Sequence, residues 1–238
     1  IKMKLSIIIP VYNEERTILQ ILERVKKVDI GDIKKEIIIV DDCSKDNSWN
    51  IIKEINGVNI RKFRHNNNKG KGGAIKTGLS YATGNFIIFQ DADLEYDPED
   101  YPKLLKPLIE NKGDIIFGSR FENQKFVLFG KNKPSYLAVH FLGNKFLILY
   151  FNLLYNKRLS DVEPCYKLFK SDVLRSVKVK SDGFEYDIEL MCRLVKKGHK
   201  IIQLPIKYNP RSFNEGKKIN WKDGVKASYC MLKCRFLD

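Results

Sequence analysis

The chain has 238 residues, and 43% of them are hydrophobic, so it can bury one sizeable core. Its 43 Lys and Arg side chains outnumber its 29 Asp and Glu side chains, which gives a formal net charge of +14. Residues 1–120 carry 20 basic and 18 acidic side chains, whereas residues 121–238 carry 23 and 11. This composition excludes a low-complexity chain and predicts that the second half meets an anionic partner.

The five cysteines are scattered along the chain and form no CxxC pair. We therefore expect reduced thiols in a cytosolic protein. Cys230 and Cys234 are four residues apart on a predicted helix, but no further ligands accompany them, as a metal centre would require. The first residues contain no charged leader, apolar segment or cleavage site, so we expect no secretion signal.

Strand and helix patterns alternate over the first hundred residues. Strands are predicted at 5–12, 35–42, 58–65 and 85–93, with helices between them at 13–28, 47–55 and 71–82. A further helix begins near Asp97 and runs to about Glu110, and a fifth strand covers 113–120. Strict alternation predicts an α/β fold with a mostly parallel sheet and right-handed crossovers.

The pattern changes after residue 120, where a polar loop with several lysines precedes a strongly apolar helix at 136–155. That helix approaches the length of a membrane span, but His140, Asn144, Lys145 and Asn152 interrupt it, so we expect a buried or interface-lying helix. Further helix and strand patterns follow at 165–177, 186–198 and 199–211. We predict one domain with a nucleotide-type half over 1–120 and a distinct half over 121–238.

Acidic side chains directly follow the strand-like run at 86–89. Asp91 and Asp93 fall at the carboxyl end of that strand, where open α/β sheets bind ligands. Magnesium and manganese prefer oxygen ligands and often share them with a substrate diphosphate, and Glu95 can add a third oxygen. The alternative is a solvated acidic helix start.

Polar groups also follow the other strands. Pro10, Tyr12 and Glu14 end the first strand, and Asp42 ends the second, where a helix cap or turn is the simpler interpretation of the segment on its own. The Gly-rich segment "NNNKGKGGAIKTG" places Lys71 before a helix as a candidate phosphate cradle, although it is neither a Walker loop nor a GxGxxG motif.

The segments "SIIIPVYNEE", "IIIVDDCSKD", "NKGKGGAIKTG" and "FQDADLEYDPED", in this order, resemble the family 2 glycosyltransferases of the GT-A fold. The later segments "GSRF", "DVEPCYKLFK", "GFEYDIEL" and "YNPRSFNEGKKINWKDGVKA" are similar to dolichyl-phosphate mannose and glucose synthases and to bacterial polyprenyl-phosphate glycosyltransferases. The resemblance covers nearly the whole chain. It implies a nucleotide-sugar- and metal-binding half at 1–120 and a basic, acceptor-binding, membrane-facing half at 121–238.

The resemblance implies a metal-dependent, inverting transfer of a hexose from a UDP- or GDP-sugar to a polyprenyl phosphate. Mg²⁺ or Mn²⁺ would bind Asp91 and Asp93, with Glu95 standing where the mannosyl branch usually has Gln. The residues implied to bind the nucleotide sugar are Pro10, Tyr12, Glu14, Asp42, Lys71, Asp91 and Ala92. Those implied to act in catalysis are Asp93, Arg120, Arg211 and Asp161.

Arg120 and Arg211 match positions that face the phosphates, and a guanidinium fork suits that role. Asp161 matches a carboxylate near the reacting centre, where it acts as a base or orients the sugar; a helix cap is its simpler interpretation. A polyprenyl phosphate is already ionised near pH 7, whereas a hydroxyl acceptor needs a base.

The basic half and the apolar helix together predict peripheral binding to an anionic membrane on the cytoplasmic face. A soluble family 2 enzyme acting on a saccharide or protein hydroxyl is the alternative. Nucleic acid is not an expected partner, because no RRM, KH, zinc-finger or helix-turn-helix pattern occurs and the acidic strand ends would repel phosphate.

Overall fold

The computed structural model describes residues 3–120, 135–210 and 221–237. Arg211 and the lysine-containing loop at 121–134 lie outside these ranges. The strands are β1 (Lys4–Val11), β2 (Lys34–Asp41), β3 (Ile60–Arg64), β4 (Phe86–Phe89), β5 (Ile115–Ser119), β6 (Lys167–Lys170) and β7 (Ile201–Pro205). They form one sheet in the order β3-β2-β1-β4-β6-β5-β7, in which β6 alone runs antiparallel to its neighbours among the described strands.

The helices are α1 (Ile18–Lys27), α2 (Ser48–Glu54), α3 (Lys71–Tyr81), α4 (Tyr101–Ile109), α5 (Ser135–Tyr155), α6 (Ser171–Arg175), α7 (Tyr186–Lys196) and α8 (Trp221–Phe236). A short 3-10 turn at Pro98–Asp100 leads into α4, and the Asp97 side chain accepts a hydrogen bond from the Glu99 N–H there. The predicted mostly parallel α/β sheet is therefore confirmed.

Several element boundaries differ from the predictions by a few residues, and two of them lie next to the acidic and polar strand ends. The first helix begins at Ile18 instead of residue 13, and the fourth strand ends at Phe89 instead of residue 93. In both places the chain turns through a left-handed residue, at Asn13 with φ 54° and at Leu94 with φ 64°. The residues predicted to extend the helix and the strand form turns at the edge of the sheet instead.

Helices pack on both faces of the sheet, and its strands therefore consist of continuous runs of apolar residues. Ile7 and Ile9 of β1 pack in one cluster with α1, α2 and α4. Ile8 points to the opposite face and joins a second cluster with α3, α5, α7 and α8. Of the helices in the described ranges, none combines the length and apolarity needed to span a bilayer.

The parallel pairing of β1 with β2 and β4, of β2 with β3, and of β5 with β7 brings the carboxyl ends of these strands to one edge. Strand β6 separates β4 from β5 and runs antiparallel to both, so β4 and β5 point the same way. The loops that follow β1, β2, β4 and β5 therefore meet at a single edge of the sheet.

Candidate active site

A cavity of about 890 Å³ opens at this edge, between the strand ends and the helices α5 and α8. Most of the candidate residues named from the sequence line it: Pro10, Tyr12, Glu14, Asp42, Lys71, Asp91, Ala92, Asp93, Glu95 and Arg120. Asp161 does not line the cavity and is buried, with 1% of its surface exposed. Arg211 falls outside the described residues.

Three of the loops that shape the cavity contain a non-glycine residue with positive φ. Asn13, Cys43 and Leu94 have φ values of 54°, 62° and 64°, and each directly follows a candidate residue of the site. This backbone region is uncommon for side chains other than glycine, and it persists only where the surrounding structure holds it. The strand ends are thus turned sharply, which directs Tyr12, Asp42 and Asp93 to the cavity.

Asp42 organises the Gly-rich loop. Its carboxylate accepts hydrogen bonds from the backbone N–H groups of Lys69 at 2.8 Å and Gly70 at 2.7 Å, and it lies 2.7 Å from Nδ1 of the buried His65. Gly70 has φ 85°, and a Cβ there would lie 2.6 Å from the carbonyl oxygen of Asp182. The Asp42 carboxylate therefore holds a loop distant in sequence, whereas the local turn after β2 is bonded by Asp41 through the Ser44 N–H; Asp42 also faces the cavity.

Lys71 lies at the first position of α3, and its ammonium pairs with Asp91. The Lys71 Nζ is 2.8 Å from Asp91 Oδ1 and 3.6 Å from Asp187 Oδ2. Burial, the largest single effect, disfavours the charge on Lys71, but Asp91 together with its other neighbours, including Asp187, outweighs burial and raises the lysine pKa well above its usual value. In the structure, Asp91 is thus neutralised by a lysine of the same chain.

The buried Gln90 side chain holds the backbone of Asp91 by a hydrogen bond. The hydroxyl groups of Tyr101 and Tyr166 donate to Gln90 Oε1 at 2.6 and 2.7 Å, and Gln90 Nε2 donates to the Asp91 carbonyl at 2.9 Å. Burial raises the pKa of both tyrosines, which keeps their hydroxyl groups as donors. The acidic loop therefore begins on a rigid polar network.

Asp93 and Glu95 continue this loop in different directions. Asp93 Oδ1 accepts a hydrogen bond from the Glu95 N–H at 3.1 Å, while the Glu95 carboxylate pairs with the hydroxyl of Tyr208. Burial, followed by the charge of Glu95, raises the pKa of Tyr208. Within the described part of the chain, no three His, Cys, Asp or Glu side chains converge closely enough to hold a metal by themselves.

Arg120 and Asp161 form a two-pronged ion pair. Arg120 Nε is 2.7 Å from Asp161 Oδ2 and Nη2 is 2.9 Å from Oδ1, and the Arg120 backbone N–H also donates to Oδ2 at 3.1 Å. The guanidinium carbon lies 5.4 Å from the ring centre of Tyr208. Both Asp161 oxygens are thus engaged by Arg120.

Sequence reasoning missed several polar groups from the second half. Lys167 is fully buried, donates to the Pro164 carbonyl, and its Nζ lies 2.9 Å from Asp187 Oδ1. Burial opposes the charge of Asp187, yet Lys167 and Lys71 outweigh it and lower the Asp187 pKa. Glu163 lines the cavity, and burial raises its pKa. The segments "DVEPCYKLFK" and "GFEYDIEL" contain these residues and were the only signal for them.

The model of the family described as "Glycosyl transferase family 2" matches residues 6–178. The chain is 29% identical to the dolichol-phosphate mannosyltransferase of Pyrococcus furiosus, covering 90% of this chain and 59% of that protein. It is also 29% identical to the UDP-N-acetylglucosamine–dolichyl-phosphate N-acetylglucosaminyltransferase of Methanococcus voltae, covering 95% and 94%.

Among solved structures, the chain is similar to glucosyl-3-phosphoglycerate synthase of Mycobacterium tuberculosis in complex with Mn²⁺, UDP and phosphoglyceric acid. The TM-score is 0.71 at 17% identity, over 99% of this chain and 80% of that one. This likeness concerns the fold, and it confirms the predicted single-domain GT-A architecture.

Proposed function

The chain belongs to glycosyl transferase family 2, and on that premise we propose that it moves a hexose from a UDP- or GDP-sugar to a polyprenyl phosphate, inverting the anomeric carbon. The observation that carries the proposal is the cavity at the carboxyl edge of the sheet, where Lys71, Asp91 and Arg120 converge. The two relatives named as dolichyl-phosphate glycosyltransferases support the choice of acceptor.

The nucleotide would lie along the loops that follow β1 and β2. Pro10, Tyr12 and Glu14 line this end of the cavity and offer an aromatic ring and a carboxylate to the base and ribose. Asp42 would contribute chiefly by holding the Gly-rich loop, since its oxygens already accept hydrogen bonds from that loop. Lys71 follows Gly70 directly and would approach the diphosphate from the start of α3.

Asp91 and Asp93 are the residues that would hold Mg²⁺ or Mn²⁺. Their donor set fits such an ion, because magnesium is commonly bound by one or two carboxylates and completed by substrate phosphates and water. A cluster of three protein ligands is therefore not required. The ion, when bound, would neutralise charge on the diphosphate leaving group. Glu95 would need to leave Tyr208 in order to serve as a third ligand.

The transfer requires a cation at the phosphates and requires no enzyme nucleophile. An oxygen of the acceptor phosphate attacks the anomeric carbon while the bond from that carbon to the donor diphosphate breaks, and the electron pair leaves with the nucleoside diphosphate. Arg120 would stabilise phosphate charge, and Asp161 would fix the plane of its guanidinium. Arg211 is proposed for the same task from its sequence match alone.

The proposed acceptor and the surplus of positive charge support a reaction at a membrane surface. A polyprenyl phosphate resides in a bilayer, and residues 121–238 carry 23 basic and 11 acidic side chains. We therefore propose peripheral attachment to the cytoplasmic face of an anionic membrane. The second half would bind the acceptor, and residues 1–120 would bind the donor.

Glu163 favours one alternative, transfer to a hydroxyl group. It is a cavity-lining carboxyl whose pKa is raised by burial, and a general base for a hydroxyl acceptor works best with a pKa moved toward neutrality. A polyprenyl phosphate would make no use of such a base, because it arrives ionised.

The acceptor can be tested with a matched pair of lipids. The protein is incubated with labelled UDP-glucose, GDP-mannose or UDP-N-acetylglucosamine and with either a short polyprenyl phosphate or the corresponding polyprenol in detergent. We expect label only in the phosphate-linked product, with unchanged kcat for Glu163→Gln. Transfer to the polyprenol, or to an added saccharide, that disappears in Glu163→Gln would establish the hydroxyl acceptor instead.

A further inference from the structure

We propose that the outward faces of α5 and α8 together form the surface with which the protein lies on an anionic lipid bilayer. The inference rests on the proposed function, since it identifies how a membrane-resident acceptor meets the cavity. It adds α8, a helix at the other end of the second half, to the apolar helix that the sequence singled out.

Helix α5 is apolar on two opposite faces. Its inward face packs in the core through Leu147, Ile148, Phe151 and Tyr155. Its outward face carries four large apolar side chains that are more than half exposed: Leu142, Phe146, Leu149 and Leu153. Their spacing of four, three and four residues keeps them in one stripe on the helix surface. Packing in the core accounts for the apolar residues of the inward face, whereas those of the outward face are exposed.

Helix α8 repeats this arrangement. Its inward face packs in the same core cluster through Ala227, Cys230, Met231 and Cys234. Its outward stripe consists of Val225, Tyr229, Leu232 and Phe236, again spaced by four, three and four residues and exposed. The two helices contact each other, because the Tyr155 hydroxyl donates to the Met231 carbonyl at 2.9 Å. Neighbouring exposed stripes of this kind mark an interaction surface.

The charges beside the stripes favour an anionic lipid surface over other occupants. Lys226, Lys233 and Arg235 are exposed along α8, and Lys145 is exposed on α5. Helix α5 contains no acidic residue, and Asp223 is the one acidic residue in α8. Apolar stripes bordered by cations are typical of helices that lie in a membrane interface. A second copy of the chain would oppose one cationic face with another.

The same surface leads directly to the cavity. Phe146 and Val225 line the cavity, yet 60% and 59% of their respective surfaces are exposed. The cavity therefore opens between the two stripes. With the stripes in the bilayer interface, an acceptor phosphate would enter the cavity while its prenyl chain stayed among the lipids.

Vesicle flotation of the full chain tests the proposal with one substitution on each helix. Leu153→Glu and Phe236→Glu change residues that do not line the cavity, and Leu19→Glu is the matched control on α1, on the other side of the sheet. We expect wild type and Leu19→Glu to float with phosphatidylcholine–phosphatidylglycerol vesicles and not with phosphatidylcholine alone. Each stripe variant should bind at least about tenfold more weakly, because one buried leucine or phenylalanine contributes more than that factor.

Three results would overturn the proposal. These are absence of wild-type binding to the mixed vesicles, equal binding by the stripe variants, and a lipid-free dimer in sedimentation analysis that Leu153→Glu dissociates. Sugar transfer to a short polyprenyl phosphate in detergent is measured in parallel and should be unchanged in both stripe variants. Vesicle binding without any such transfer would support the docking surface while removing the proposed reaction.

Discussion

Lys71 is the residue whose position most affects the interpretation of the site. Its ammonium occupies the approach to Asp91, and Asp187 holds it from the other side. Asp187 is in turn fixed by the buried Lys167. The chain therefore balances its own charges before any substrate binds, since an unpaired carboxylate at this depth would be costly.

Replacement of this lysine should alter metal affinity. We expect Lys71→Met to bind Mn²⁺ about three- to tenfold more tightly in the absence of nucleotide, because Asp91 loses a competing cation. Sugar transfer should fall, because the diphosphate loses a positive charge. Electron paramagnetic resonance of free Mn²⁺ measures the first effect. Lys76→Met, which removes an exposed ion pair with Asp182 from the same helix, is the control. Unchanged or weaker Mn²⁺ binding by Lys71→Met would contradict this account.

The raised pKa of Glu163 leads us to expect that the stability of the protein depends on pH. Burial raises its pKa, only partly opposed by Arg120 and Lys167, so the folded chain holds this proton more tightly than the unfolded chain does. The free energy of unfolding should therefore fall as pH rises from the ordinary glutamate pKa through the raised one. Glu163→Gln should remove the part of this fall in unfolding free energy that Glu163 causes. Substitution of the exposed Glu54 by Gln should leave the fall unchanged. Thermal melts between pH 4 and pH 8 measure the difference, and parallel curves for wild type and Glu163→Gln would refute the assignment.

At the scale of elements, the Gly-rich loop depends on glycine for a reason visible in its geometry. Gly70 combines φ 85° with a place for a Cβ only 2.6 Å from a backbone oxygen. Asp42 holds the loop from one side, and the segment around Asp182 holds it from the other. The start of α3, and with it Lys71, is thereby fixed relative to β2.

Gly70→Ala should destabilise the protein by about 1–3 kcal/mol through backbone strain and this close contact. It should also weaken UDP binding, since Lys71 would shift. The matched control is Gly198→Ala, where φ is 79° but a Cβ meets nothing within 4 Å. Chemical denaturation gives both free energies. Equal decreases in unfolding free energy for the two variants would mean that backbone strain alone destabilises Gly70→Ala and that the close contact with Asp182 contributes nothing.

The elements of the first half were predictable because strand and helix periods are local properties. Strands β1 to β5 and helix α3 were found near their predicted positions. The antiparallel direction of β6 was not predicted, because a strand of four residues carries no signal of its pairing direction. The outward stripe of α8 was missed for a related reason: apolar residues on both faces weaken the amphipathic pattern that marks a surface helix.

At the scale of the molecule, the candidate residues at strand ends could be grouped from the sequence because parallel strands share one carboxyl edge. The pairing of Arg120 with Asp161 could not, since the two are 41 positions apart and meet only in the folded chain. The same holds for Lys71 with Asp187. The fold places the carboxyl edge of the sheet beside the helices α5 and α8.

We propose that the protein uses this cavity to transfer a sugar to a lipid phosphate with the help of Asp91. The most direct test is the appearance of label from a nucleotide sugar in an organic-soluble product, with polyprenyl phosphate and Mn²⁺ present. We predict label with wild type and with Glu99→Ala, an exposed acidic residue of the same segment, and none with Asp91→Ala or after chelation of the metal. Equal labelling by Asp91→Ala, or donor hydrolysis with no labelled lipid in any sample, would contradict the account.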